Sequence, residues 1–507
     1  MSGLLLEMAL AWRYGASATV DAFRIAALLG GFGIQLFFGY LLPHIVVPMF
    51  AEYRAKGMEQ EGWRLAFWLA LILSSVSLLF VWWVWFYPDA LLRFLGPGLE
   101  VSGYGTAVLL LRCFSLALVL MAWSGVASGI LYVQRIFWLS ALAQIVPNLL
   151  IVSALLIGEG VTPLALGILL GYAAMLAMFV YGVLRIGRRS QVNWRACLKP
   201  VSREGLRKVL KLSWPLLAGI LLGQWSIIII NRVLSELPPG TLAEFGYAWK
   251  LLALVGLLPA GLATVIFPAF SEANAMGNAA ELSRLAARAV RMTLLLTLPL
   301  AAVLIVEREP LVNLMFGQGR MSEAALKETA TLLGILLVSA PAGALAGALN
   351  KVAFARHDSK SPAVVALFSA LALTFLLPMV AQGYGASGVV WLLSLVGLAG
   401  ALLMAGHLSL YHRVLNGQGL LRYVFVLSVL CAGTAFPVML VHILFANAGQ
   451  VRGVLALIEL VLAGLISGVC IYGLSRLMGL GETGEILAYL RWQFRQLPFF
   501  RKSRSLT

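Results

Sequence analysis

The chain is built from about fourteen apolar runs, each of the roughly 17–25 residues or more that cross a bilayer, joined by short polar connections. Inside hydrocarbon no water is present to pair a backbone N–H or C=O, so a chain of this pattern folds as helices that satisfy their own peptide groups. The runs lie near residues 3–15, 22–50, 64–87, 103–132, 137–158, 161–186, 209–235, 243–271, 289–306, 328–355, 361–381, 385–411, 420–446 and 451–478. Only 11% of the residues are charged, against about 25% in soluble domains. The expectation is an all-α polytopic membrane protein.

The formal net charge of +16 does not require a nucleic-acid partner, because basic residues concentrate in alternate connections. Arg54, Lys56 and Arg64 lie in one, Arg284, Arg288 and Arg291 in another, and Arg356 with Lys360 in a third. Nine basic residues between Arg185 and Lys211 face one acid, Glu204. The positive-inside rule then places both termini in the cytoplasm. The basic tail, with Arg491, Arg495, Arg501, Lys502 and Arg504 among aromatics, suits an anionic lipid surface. The N-terminus lacks a basic n-region and a small-residue cleavage site, so it reads as a short first span rather than a signal peptide.

A duplication runs through the chain. VVPMFAEYRAKG (Val46 to Gly57) and VIFPAFSEANAMG (Val265 to Gly277) align Pro48 with Pro268, Phe50 with Phe270, Glu52 with Glu272 and Gly57 with Gly277, each 220 positions apart. PDALLRFLGPG (Pro88 to Gly98) answers REPLVNLMFGQG (Arg308 to Gly319), and GVASG at Gly125 answers GALAG at Gly343. About six spans intervene, so the copies share one orientation, which implies parallel repeats and a substrate path between two lobes. The expected organisation is an N-terminal lobe (1–186), a basic cytoplasmic linker (187–208), a C-terminal lobe (209–411), two additional helices (412–478) and a basic cytoplasmic tail (479–507).

No Walker A loop, HExxH or nucleophile elbow is present, and the four cysteines and five histidines show no ligand spacing. The chain is therefore not expected to be an enzyme or to hold a metal or cofactor. Charges within spans are the informative residues. Lys250 lies inside the eighth run, where insertion scales price a charge at roughly 2.5–3.5 kcal/mol. Arg24 follows Asp21 by three residues, a spacing that permits an ion pair, and Arg232 lies near the outer end of the seventh run. Arg112 and Lys351 sit nearer span ends, where a long side chain reaches the headgroups. Glu7 and Glu459 are the acids within spans. Cationic candidates outnumber acidic ones, which suits an anionic cargo such as a diphosphate; Glu459 is the candidate coupling acid if transport is instead driven by protons or sodium.

The order E-x5-RYGAS-x3-DAF (Glu7 to Phe23), VPMFAEY (Val47 to Tyr53), YAWKLLALVGLLPAGLATVIFPAFSE (Tyr247 to Glu272), LVNLMFGQGRMSEAAL (Leu311 to Leu326) and AFARHDSKSP (Ala353 to Pro362) resembles the MurJ/MviN lipid II flippases. These belong to the multidrug/oligosaccharidyl-lipid/polysaccharide exporter superfamily, and the likeness covers nearly all spans. The resemblance implies a fourteen-helix, two-lobe flippase of the bacterial inner membrane that serves peptidoglycan biosynthesis and works as a monomer. Its partners would be a polyprenyl-diphosphate-linked saccharide and the membrane lipids.

Carried over by residue, the resemblance makes Lys250 the counterpart of a cavity arginine, Asp21 that of the family's Asp-Ala-Phe aspartate and Glu7 that of the acid of an ion pair, which makes both acids gating or ion-pair candidates; Arg24 is an addition to the family pattern, and it and Arg232 are candidate cavity cations on their positions within spans. The chain departs from the family pattern at Leu6, Ile34 and Gln35, where arginines are expected, and at Gly39 and Tyr40, where Glu-Gly is expected. Those departures admit an exopolysaccharide or O-antigen repeat-unit exporter as an alternative; a cation-coupled multidrug exporter of the same superfamily, with Glu459 as its coupling acid, is the other.

Overall fold

In the computed structural model, residues 2–201, 203–410, 417–446, 454–478 and 484 are described. The basic tail inferred for 479–507 lies, Gly484 apart, outside the described residues, as do His412 and Arg413. The helices follow in order α1 (Ser2–Tyr14), α2 (Ala18–Ile34), a π-helical segment (Gln35–Val46), α3 (Val47–Ala55), α4 (Glu59–Phe86), α5 (Pro88–Leu95), α6 (Val101–Val133), α7 (Phe137–Ile157), α8 (Val161–Arg189) and α9 (Trp194–Cys197). Then come α10 (Arg203–Ser235), α11 (Thr241–Val255), α12 (Leu257–Ala275), α13 (Ala279–Val306), α14 (Arg308–Phe316), α15 (Glu323–Ala355), α16 (Lys360–Leu410), α17 (Gly417–Ala446) and α18 (Val454–Leu477).

Among the described residues ten helices are long and apolar enough to cross a membrane. The protein is all-α, as the apolar runs required. The expected eighth span is two helices, α11 and α12, which meet at Gly256. Helix α16 covers two expected spans, because at Gly385 the backbone turns to φ 59°, ψ −150° and breaks the helical path.

The duplication appears in the backbone as well as in the sequence. At the end of α3, Lys56 N–H donates to Glu52 O, Gly57 N–H to Arg54 O and Met58 N–H to Tyr53 O. At the end of α12, Met276 N–H donates to Glu272 O, Gly277 N–H to Asn274 O and Asn278 N–H to Ala273 O. This is one helix-closing pattern, with the left-handed residue just past the helix end, written twice 220 positions apart. Left-handed residues recur in pairs elsewhere: Gly15 with Gly240, Arg135 with His357, and Gly160 with Gly385. Arg135 and His357 are the telling pair, since a side chain makes that conformation unfavourable and both copies adopt it. The two short turns matched in sequence are the short helices α5 and α14.

The chain divides into two compact units: residues 1–246 with 319–325 and 373–386, and residues 247–318 with 326–372 and 387–507. In the first, α6 is central and packs on α2, α4 and α8. Helices α7 and α8 form a tight hairpin whose approach depends on small residues: a Cβ on Gly167 would lie 2.8 Å from Ile151 Cα, and one on Gly171 2.8 Å from Pro147 Cα. In the second, Phe270, Ala286, Val290, Leu349, Leu408 and Leu427 form a buried core contributed by α12, α13, α15, α16 and α17. Large apolar side chains such as Leu79, Phe86, Phe375 and Phe436 stay exposed, as expected of surfaces that face lipid.

Candidate functional site

Three helices from distant parts of the first unit meet at a buried polar cluster. Arg24, on α2, donates from Nη2 to Glu7 Oε2 of α1 at 2.7 Å. The two side chains are 12% and 8% exposed, respectively. The same nitrogen donates to Ala243 O at 3.3 Å. A Cβ at Gly246 would overlap this guanidinium, so the absence of a side chain there is what lets α11 lie against Arg24.

Asp21, one turn before Arg24 on α2, does not pair with it as the i,i+3 spacing had suggested. Its carboxylate accepts from Gly240 N–H at 2.6 Å and from Ala243 N–H at 2.8 Å. These amides stand at the start of α11, where N–H groups lack intrahelical acceptors and the helix dipole favours negative charge. Asp21 therefore caps a helix more than two hundred residues away in sequence. Its oxygens are used by those amides, and the arginine turns to Glu7 instead.

Lys250 is half-buried and follows Gly246 by four residues, which places it on the same face of α11 one turn further on. In the second unit, Tyr247 of this helix packs on Phe316 of α14, with ring centroids 4.9 Å apart. Arg232, near the end of α10, donates to Phe94 O at 2.8 Å and Arg93 O at 3.4 Å. It thus answers the exposed carbonyls at the end of α5. Gln35, where the resemblance leads one to expect an arginine, accepts from Gln224 Nε2 at 3.0 Å.

This geometry can be set beside known proteins. The family model described as lipid II flippase MurJ matches residues 10–460. The chain belongs to the MurJ family.

Among curated MurJ relatives, a probable lipid II flippase MurJ of Rhizobium meliloti is 26% identical over 426 residues, which is 80% of this chain and 78% of that protein. The lipid II flippase MurJ of Burkholderia cenocepacia is 24% identical over 386 residues, 72% of each chain. A solved structure titled lipid II flippase MurJ, inward closed conformation, superposes with a TM-score of 0.76 at 18% identity, covering 94% of this chain and 97% of that one. An inward-facing multidrug resistance MATE family transporter of the MOP superfamily gives 0.68 at 18% identity, over 82% and 94%. The likeness to these two structures is one of fold.

Within this MurJ-family chain the remaining expected residue, Glu459, belongs to the second unit. Glu459 is buried on α18, and its Oε1 lies 2.8 Å from His442 Nδ1 of α17. Glu307, at the end of α13, is close to both. Glu307 falls in a connection and His442 shows no ligand spacing in the sequence, so neither stood out there. The available signal was that α17 and α18 form a hairpin, which brings residues 17 positions apart to one depth. Gly240 and Gly246 were also missed, because a glycine gives no sign of which side chain occupies the space it leaves.

Proposed function

We propose that this chain is a flippase that moves a polyprenyl-diphosphate-linked glycan precursor, lipid II in the first instance, across the bacterial cytoplasmic membrane. It does so by alternating access, without catalysing a reaction, and with both termini in the cytoplasm. Membership of the MurJ family supports the cargo class, and the departures at Leu6, Ile34 and Gln35 bear on which glycan is carried rather than on the diphosphate.

The observation that carries the mechanism is the half-buried Lys250 on α11, a helix whose start is held by Asp21 and Arg24. An ammonium held out of bulk water attracts a diphosphate more strongly than it would in water. Asp21, Arg24 and Glu7 serve as positioning residues: they fix the start of the helix that presents this charge.

The test is reconstituted flipping of lipid II in proteoliposomes by Lys250→Ala, Lys250→Glu and Lys250→Arg. A hydrogen bond to a charged group is worth about 1.5–3 kcal/mol, so Lys250→Ala should slow flipping by roughly 10- to 150-fold at about 1.4 kcal/mol per decade. Lys250→Glu should abolish it, and Lys250→Arg should retain most of it. Wild-type rates in Lys250→Ala would overturn the assignment. Running the same vesicles with an exopolysaccharide repeat unit on the same lipid diphosphate distinguishes the glycans.

A further inference from the structure

In the second unit, Glu307, His442 and Glu459 converge at one end of a helix group, where α13 and α17 finish and α18 begins. One ligand atom from each residue lies within 4.8 Å of the others. Glu307 is 0% exposed, and among the described residues neither of its carboxylate oxygens meets a hydrogen-bond partner of good geometry. Arg308, next in the chain, is turned away, donating from Nη1 to Ile305 O at 2.7 Å.

One helical turn from each ligand lies a member of a single dry cluster: Val303 before Glu307, Val438 before His442, and Ala463 after Glu459. Three helices thus stack a polar layer directly on an apolar one. Two carboxylates meet an imidazole in such a place, and among the described residues no lysine or arginine is paired with any of the three. A buried carboxylate without a partner is expensive, so the arrangement calls for a positive ligand that all three side chains can share.

We propose that Glu307, His442 and Glu459 form a binding site for one divalent first-row transition ion of the zinc or manganese kind. The donor set selects the class. Imidazole suits zinc and its neighbours, whereas calcium and magnesium take oxygen ligands, and a carboxylate–imidazole–carboxylate set matches neither an all-oxygen nor a thiolate site. Donors bound at about 2.0–2.2 Å stand roughly 3–3.5 Å apart around a tetrahedral ion, so side-chain rotations that draw in the widest pair complete the site. His442, 29% exposed against 2% for Glu459, is the side open to entry. The ion would fasten the end of α13 to the hairpin of α17 and α18. Both helices of that hairpin lie at the C-terminal end of the described chain.

The experiment measures Zn2+ uptake by the full-length protein, without a histidine tag, in detergent, by elemental analysis after gel filtration and by competition with a chromophoric chelator. The expected result is about one Zn2+ per chain, retained against a large excess of Mg2+ or Na+. Glu307→Gln and His442→Asn should each lower affinity by more than the roughly 10–100-fold that loss of a supporting partner alone costs. Glu307→Gln removes a buried charge without changing shape, so it keeps the fold; an unchanged elution volume checks this.

X-ray absorption of the Zn2+-loaded wild-type protein gives a readout that needs no variant. One imidazole with oxygen ligands and no sulfur is expected. No uptake by the wild type, equal uptake by Glu307→Gln, displacement by Na+, or sulfur in the coordination shell would each overturn the proposal. Absence of uptake would indicate that the two carboxylates and the imidazole share protons instead.

Discussion

The Glu7–Arg24 pair allows a quantitative test of what holds α1, α2 and α11 together. Both side chains are almost fully buried and meet at 2.7 Å, so removing either one withdraws the counter-charge from a group that stays out of water. Loss of one member of a buried ion pair costs about 3–5 kcal/mol, whereas replacing both members with apolar residues of similar size is often neutral or stabilising. Unfolding entropy near 2.1 cal/mol/K per residue, taken over the 507 residues, amounts to about 1 kcal/mol per kelvin. Each single variant, Glu7→Leu or Arg24→Met, should therefore lower the apparent melting temperature by about 3–5 °C if the chain unfolds as one body. The double variant should recover most of that loss. Melting in detergent, followed by fluorescence-detected gel filtration, gives all four corners of the cycle. Independent sites add within about 0.5 kcal/mol. If the double variant shows the sum of the single losses, the two charges are not coupled and the cluster does not hold these helices.

Two further expectations follow from geometry. Gly246→Ala places a methyl group in the space of the Arg24 guanidinium; it should reduce thermal stability and flipping together, and on an Arg24→Met background, where no guanidinium has to be displaced, the same substitution should cost little beyond the loss of Arg24 itself. At the start of α16, the Asp358 carboxylate accepts from the Ser361 hydroxyl and from the Lys360 and Ser361 amides. Burial works against its ionisation, but those hydrogen bonds and the nearby His407 outweigh it and leave the pKa below the ordinary carboxylate value. A carboxyl depressed on folding stabilises above its unfolded pKa and loses that contribution as pH falls through its folded pKa. Asp358→Asn should therefore melt lower than wild type at neutral pH, and the gap should close under acidic conditions. A gap that persists at a pH below the folded pKa would refute the charge argument.

The membrane class and the duplication were legible in the chain because both are written in local pattern. Hydropathy marks the spans, and the Pro-Phe-Glu-Gly echo marks the ends of α3 and α12, where the repeated helix closure depends on residues within one turn. The polar contacts were not legible in the same way. Asp21 finds its acceptors' partners at Gly240 and Ala243, and Arg24 finds its counter-ion at Glu7; short spacing suggested a local Asp21–Arg24 pair, and tertiary packing redirected both. Glu307 reads as a residue of a polar connection, yet it is fully buried because α14 folds back against α18. Charge within a span flags that something must compensate it, but the compensating group comes from elements that sequence spacing cannot bring together.

The missing side chain at Gly246 has a mechanical consequence. With the Arg24 guanidinium seated where a Cβ would be and the Asp21 carboxylate gripping the first amides of α11, the first turns of α11 are keyed to α2 like a shaft to its hub. They cannot spin or slide about their own axis unless α2 moves with them. Any bending or twisting along this stretch of chain must therefore be taken up beyond Gly246, and the first break in the helical path there is Gly256, where α11 gives way to α12.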